Sequence, residues 1–149
     1  MKKIISTLVL LTLFLCGCSP LGKVENDVSK LTDFKAVLAL STDVTVEATV
    51  IEGDEAKRLY YMIRDAVEST DKMDYESEAH TGNYVRVSFC TGEVNLNDDS
   101  KPFSEYYGIY TVFEDGYTSL YLSPKLPTAY ACPLDVSIYN ELFGIIERN

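Results

Sequence analysis

Basic residues are scarce in this sequence. Its 149 residues include 13 Lys+Arg against 23 Asp+Glu, which gives a formal net charge of −10 at pH 7. A surface of this kind is repelled by phosphate backbones and by anionic lipid headgroups. We therefore exclude nucleic acid as a partner, whereas cations, basic proteins and neutral ligands remain open.

Catalytic signatures are missing as well. The sequence has a single histidine, His80, and it contains no serine elbow, glycine-rich phosphate loop, CxxC pair or HExxH motif. A reactive cysteine needs a basic neighbour that lowers its pKa, and one histidine leaves little choice of such a neighbour. No cofactor is predicted, and no motif favours an enzyme class.

Long hydrophobic runs are absent too. An unbroken apolar or hydroxyl run from Ile4 to Leu15 has 12 residues, whereas a helix needs about 20 to cross a bilayer core. Lys2 and Lys3 precede this run. A basic start followed by a short apolar segment is typical of a secretory signal peptide.

The four residues that follow, Leu15-Cys16-Gly17-Cys18, resemble the lipobox of bacterial lipoproteins. That motif has an aliphatic residue, a small residue, Gly or Ala, and then an invariant cysteine; Cys16 stands where the family more often has Ala or Ser. The resemblance implies that residues 1–17 are a signal peptide and that Cys18 is lipidated. The expected partner is then a membrane, reached through the lipid on Cys18, because two or more acyl chains anchor a protein stably.

The implied location is the extracytoplasmic side of the cell membrane or, in a bacterium with two membranes, of the outer membrane. Ser19 follows the lipidated cysteine, and a residue other than Asp at that position resembles the outer-membrane sorting pattern. We expect residues 18–42 to form the lipidated cysteine and a tether, part of which can be ordered. Residues 43–149 are expected to form a single domain.

Local patterns predict the elements of that domain. Alternating apolar and polar residues predict strands at 43–51, where β-branched types dominate, and at 84–90. We expect a returning strand at 93–97, after a turn at Thr91-Gly92, and one more short strand at 128–132. Apolar residues at helical spacing predict two helices, each preceded by an aspartate suited to cap it, at 55–69 after Asp54 and at 136–148 after Asp135. The segment before residue 43 is compatible with a short helix, a loop or a first strand.

A hairpin is expected between Tyr107 and Ser123, with Asp115-Gly116 as a two-residue type I′ turn. The resulting register places Ile109, Phe113, Leu120 and Leu122 in the core, and it places three tyrosines on the opposite face: Tyr110, Tyr117 and Tyr121. Tyrosine is enriched at recognition surfaces, so these three form a candidate binding face. The alternative is that they only stabilise the sheet or lie beneath a helix.

The order of elements predicts an α+β fold. We expect a two-layer sandwich in which an antiparallel sheet of four to six strands carries two helices on one face. This layout resembles small uncharacterised lipoproteins of Gram-positive bacteria, and also the β-α-β4-α plan of TATA-binding-protein-like folds. A fold of this kind does not define a function.

Two further residue sets are candidates for chemistry. Cys90 and Cys132 remain after lipidation of Cys18, and an exported protein can join them in a disulfide; the alternative is two buried free thiols. Alternating acidic residues and the histidine suggest a weak divalent-ion site at Asp74, Glu76, Glu78 and His80. A solvated acidic loop is the simpler interpretation of that segment.

The leading functional hypothesis is a non-catalytic binding module anchored in the cell envelope. It would bind an unknown protein or envelope component through the sheet face or through the acidic loop around His80. One alternative is a metal- or carboxylate-dependent hydrolase with chemistry near residues 74–80. The other is a structural envelope protein.

Overall fold

A computed structural model of the chain describes residues 27–42, 46–75, 80–96, 105–121 and 130–149. The predicted signal peptide and Cys18 lie outside these ranges, as do Glu76 and Glu78. In the described part, a short 3-10 helix at Val28–Lys30 precedes the first strand.

The described residues form one antiparallel sheet. Six of its strands have four or more residues and one has two; they are β1 (Phe34–Ser41), β2 (Val46–Glu52), β3 (Asp74–Tyr75), β4 (Tyr84–Thr91), β5 (Glu105–Phe113), β6 (Tyr117–Tyr121) and β7 (Tyr130–Pro133). The strand order across the sheet is β2-β1-β4-β5-β6-β7-β3. Strand β2 therefore lies at one edge and the two-residue β3 at the other.

Two α-helices of the described chain pack on this sheet: α1 (Gly53–Glu68) and α2 (Val136–Ile146). Both contribute side chains to one hydrophobic core, so the predicted two-layer α+β sandwich is confirmed. Asp135 caps α2 as predicted, since its carboxylate accepts a bond of 2.8 Å from the Ser137 backbone N–H. The residue before α1 is Glu52, which makes no side-chain cap bond, and Asp54 lies in the first turn instead.

The sheet face that lies against the helices is the inner face. On β4 it carries Val85, Val87 and Phe89, all fully buried, as the alternation in that strand predicts. The Phe89 ring stacks on Phe34 at a centroid distance of 5.9 Å and meets Tyr60 of α1 edge-on at 5.2 Å. Each fully buried side chain of this size contributes roughly 1.5–3 kcal/mol.

Strand β1 belongs to the domain and not to a tether. All its residues from Lys35 to Ser41 pair with β2 on one side and with β4 on the other. Upstream of it, Val28 is completely buried in the same core. The predicted domain start at residue 43 is therefore wrong, because β1 supplies a central part of the sheet.

The hairpin between β5 and β6 has a different register from the predicted one. Val112 pairs with Thr118 and Tyr110 with Leu120, one position away from expectation. A type I′ turn requires positive φ at both of its central residues, but in the described chain positive φ occurs only at glycines, here Gly116 with φ +88°. The Gly116 N–H donates to the Phe113 carbonyl at 3.0 Å, so the loop has three residues and ends in a glycine bulge.

That shift of one residue exchanges the faces of β5. Tyr110 and Val112 face the helices, and Ile109 and Phe113 face the other way, because alternate residues of a strand point to opposite faces. The strand predicted at 93–97 is not formed in its described part, residues 93–96. Strand β4 pairs with β5 instead, with a register irregularity between Phe89 and Cys90.

Candidate binding face

The sheet face opposite the helices, here called the outer face, is the candidate functional surface. Its residues are absent from the core cluster that the helices share with the inner face. One lateral row crosses five neighbouring strands through successive paired residues: Tyr121, Ile109, Ser88, Val37 and Val50. The row is apolar or aromatic except for a single serine.

Exposure along this row is uneven. Ser88 and Val37 in its middle are only 7% and 4% exposed. Tyr121 and Ile109 at one end are half-buried, and Val50 at the other end is 37% exposed. The two ends of the row therefore present apolar and aromatic surface that a partner can contact.

His80 lies at the hairpin tip, in contact with Phe113 and Tyr117 of the outer face. Its Nε2 lies 2.9 Å from Asp115 Oδ2, its ring stacks on Tyr117 at a centroid distance of 4.1 Å, and Phe113 meets it edge-on at 4.6 Å. These contacts fix the imidazole between a carboxylate and two aromatic rings, with about 30% of the side chain exposed.

Asp115 holds this arrangement together. Its Oδ1 accepts the Tyr117 backbone N–H at 2.9 Å. That bond, together with the His80 contact, lowers the pKa of the Asp115 carboxyl against a smaller opposing effect of burial. The tip is also tied to the start of β4, because Asn83 Nδ2 donates to Glu114 Oε2 at 3.0 Å and the Glu114 N–H donates to the Asn83 carbonyl at 3.1 Å.

The four candidate metal ligands are not brought together by the described residues. Asp74 lies in β3 opposite Ala131 of β7, and His80 pairs with Asp115, which is not one of the four candidate ligands. Glu76 and Glu78 lie outside the described residues. Within the described ranges there is no group of three or more His, Cys, Asp or Glu that could hold a metal ion.

The three candidate tyrosines are divided between the two faces. Tyr117 and Tyr121 are half-buried on the outer face. Tyr110 is 3% exposed within the core, where its ring meets Phe89 at 5.8 Å, and burial raises the pKa of its hydroxyl. The prediction for Tyr110 is therefore wrong, and the cause is the three-residue turn that shifted the register.

Of the two alternatives for the cysteines, the structure has two buried free thiols and not the disulfide. Cys90 lies on the outer face, paired with Lys35 and Tyr106, whereas Cys132 lies in the core of the inner face. Three strand spacings separate β4 from β7, about 14 Å at about 4.8 Å each, and a disulfide cannot join residues more than about 7 Å apart. Burial raises the pKa of each thiol to about 11, which does not favour a nucleophile.

A cleft of about 530 Å³ lies at the far end of the outer face. Its lining comes from β1, from β2 and from the segment after β4: Lys35, Val50, Glu52, Glu93, Val94 and Asn95. The Lys35 ammonium donates to the Gly92 carbonyl at 2.8 Å and lies 3.1 Å from Asp33 and 3.7 Å from Glu52. The hydrogen bond to Asp33 is the main cause of the raised Lys35 pKa, so this lysine stays charged and is already neutralised within the fold.

Sequence reasoning missed Asp115 and Lys35. The Asp-Gly pair placed Asp115 at a hairpin tip, but its neighbour His80 precedes a different strand, and the two meet only because β4 pairs with β5. Lys35 was assigned to the tether. The pairing of β1 with β2 and β4 is what brings it to Glu52 and Gly92.

In the described part of the chain, every helix is too short or too polar to cross a membrane. Comparisons with protein-family models, with curated proteins and with solved structures gave no significant match.

Proposed function

We propose that the chain is a bacterial lipoprotein whose folded domain is a binding module of the cell envelope. In this proposal the chain is exported, cleaved between Gly17 and Cys18, and held by lipid on Cys18 at the extracytoplasmic side of a membrane. The basic start, the apolar run and the lipobox at residues 15–18 support the anchor. The domain then binds a protein or an envelope component that is not nucleic acid.

The observation that carries the binding role is the lateral row on the outer face. A sheet in a two-layer sandwich needs one apolar face, which the helices cover. Here the other face also bears Tyr121, Ile109 and Val50, each of which keeps part of its surface exposed. Tyrosine combines a large apolar ring with a polar hydroxyl and is enriched at interfaces, so this face is suited to a partner rather than to solvent.

The anchor is tested by mass spectrometry of the protein extracted from its own cells. We expect a mature chain that begins at Cys18 and carries acyl mass, and we expect Cys18→Ala to move the protein from the membrane fraction to the soluble fraction. A mature chain that keeps Met1, or a residue 18 without acyl mass, would contradict the proposal.

The binding face is tested by photocrosslinking in the same cells. A benzophenone amino acid at Tyr121, on the outer face, is compared with the same amino acid at Asn140, which is exposed on α2. We expect one discrete adduct from the Tyr121 position and none from the Asn140 position. Equal crosslinking from both positions, or none from either, would refute the assignment of this face.

A further inference from the structure

Strand β2 is an edge strand along its full length. Its seven residues pair with β1 from Val46 to Glu52 without a bulge, and no other described strand pairs with it. An edge strand presents a row of N–H and C=O groups that can pair with another chain, and proteins often block such an edge with Pro, Lys or a bulge. The β2 sequence, VEATVIE, contains no proline and no lysine.

The side chains of β2 are also accessible. Ala48, Val50 and Glu52 alternate on the outer face and are all exposed, and Val50 is one of the few large hydrophobic residues of the described chain that are exposed. A strand added at this edge would place its own alternate side chains beside Val50 and Glu52, at the usual cross-strand distance of about 5 Å.

The cleft next to this edge is negatively charged. Lys35 is its one basic lining residue, and that charge is already paired with Asp33 and Glu52. Glu93 adds a further carboxylate, while Val50 and Val94 supply apolar walls. A long basic side chain fits this combination, because its alkyl stem packs on apolar surface and its cationic end reaches the carboxylates.

We propose that β2 binds an extended segment of a partner protein as an additional strand, and that a Lys or Arg of this segment enters the cleft between Glu52 and Glu93. Main-chain hydrogen bonds supply the affinity in this mode of recognition, and the side-chain site supplies the specificity. The inference rests on the proposed binding function and names the partner chemistry. A second copy of this chain is disfavoured as the occupant, because each copy carries a formal net charge of −10.

The test measures peptide binding to the full chain, purified in detergent, by fluorescence anisotropy. The probe is a labelled peptide, acetyl-Thr-Val-Thr-Lys-Thr-Val-Thr-amide, which alternates as a strand does and carries one lysine. We expect it to bind at least about tenfold more tightly than the same peptide with Glu in place of Lys. Two further peptides carry N-methyl groups on alternate amides, one on the odd-numbered residues and one on the even-numbered residues. Because only one edge of the added strand faces β2, N-methylation should abolish binding of one of these two peptides.

Matched variants locate the site. Glu52→Gln with Glu93→Gln should weaken binding of the lysine peptide by about tenfold, whereas Glu55→Gln with Glu147→Gln, which changes the net charge equally at exposed sites, should leave it unchanged. Val50→Lys should abolish binding by repulsion, and Val50→Thr should retain it. Unfolding curves of all the variants show whether each one is folded.

Several results would overturn the inference. Three of them concern the peptides: no binding at millimolar peptide, equal affinity for the Lys and Glu peptides, or no loss of binding for either N-methylated peptide. The fourth is a dimer of the chain formed through β2, detected by analytical ultracentrifugation. If the peptides fail while the Tyr121 adduct forms, strand addition is wrong and the binding function stands. If both experiments fail, both proposals are wrong.

Discussion

The two faces of the sheet differ in how well the sequence predicts which of their residues are buried. On the inner face, the alternation in β4 predicts the buried residues Val85, Val87 and Phe89 correctly. On β2 the same alternation has the opposite outcome, since Ala48 and Val50 are exposed on the outer face and Ile51 faces the helices with 7% exposure. A period of two thus identifies a strand, but it does not say which of its two sides will be covered.

The largest expected difference between the faces is in stability. Phe34 is completely buried on the inner face against Tyr60 and Phe89, so Phe34→Ala should lower the free energy of unfolding by about 3–5 kcal/mol. Ile109 is half-buried on the outer face, and Ile109→Ala should cost about 1–2 kcal/mol. Chemical denaturation measures both, and equal losses would mean that the outer face is a second core.

The hairpin turn sets the register of β5 and therefore the face on which each β5 residue lies. Substitution in this turn should lower the stability nearly as much. Gly116 has φ +88°, and a Cβ there would lie 2.4 Å from the Leu134 carbonyl oxygen, so Gly116→Ala should cost at least about 2 kcal/mol. Gly144, in α2, has no positive φ and meets only the end of the Arg148 side chain. Gly144→Ala should therefore stabilise the protein by about 0.5–1 kcal/mol, and similar effects at both glycines would contradict the assigned turn.

A smaller effect is expected at the Asp115–His80 pair on the outer face. Because the Asp115 pKa is lowered in the folded protein, its ionised form contributes stability above the ordinary aspartate pKa of about 3.9. This contribution is lost as the pH falls through the folded-state value. With 57% of the side chain exposed, solvent screening limits the contribution, and Asp115→Asn should cost about 0.5–1 kcal/mol at pH 7.

In strongly acid solution, residue 115 is neutral in both the unsubstituted protein and the Asp115→Asn variant. The difference in their free energies of unfolding should therefore disappear. Thermal unfolding measures this difference between pH 2 and pH 7, roughly the range over which carboxyl groups titrate. Asp71→Asn, an exposed site with the same change of charge, is the control. An effect of Asp115→Asn that is independent of pH would assign the pair a packing role only.

The two cysteines lie on opposite faces, but the reactivity of their thiols should differ least of all the properties compared. Both are buried, with thiol pKa values raised to about 11, so iodoacetamide at neutral pH should modify neither in the native protein. Both should react fully after unfolding without reductant, which peptide mapping by mass spectrometry detects. Residues 90 and 132 recovered as one cross-linked peptide would contradict the structure.

Much of the fold could be predicted because its signals are local. The stripe of α1 and the Asp135 cap of α2 depend on residues within a few positions of one another. Strand β1 was harder to assign, because Val37 and Leu38 are both buried, one on each face. Two-sided burial removes the alternation that marks a strand.

The candidate site could be predicted only in part. Tyr117 and Tyr121 were correctly assigned to the outer face, whereas the assignment of Tyr110 failed with the one-residue shift of the turn. The contact between His80 and Asp115 joins residues that are 35 positions apart. No local pattern encodes such a contact, since it depends on how β4 and β5 pair.

Local patterns in the sequence predict where the helices and most strands of the described chain lie, and where the hairpin turns, because backbone periodicity and turn chemistry act over a few residues. The sequence also contains the segment Leu15-Cys16-Gly17-Cys18, whose resemblance to a lipobox can be seen in the sequence alone. The folded chain is needed to show which side of each strand meets the helices, that β2 lies at an edge of the sheet, and which charges surround Lys35. Those outcomes depend on pairing between distant segments, and a shift of one residue in that pairing reverses the face on which every side chain of a strand lies.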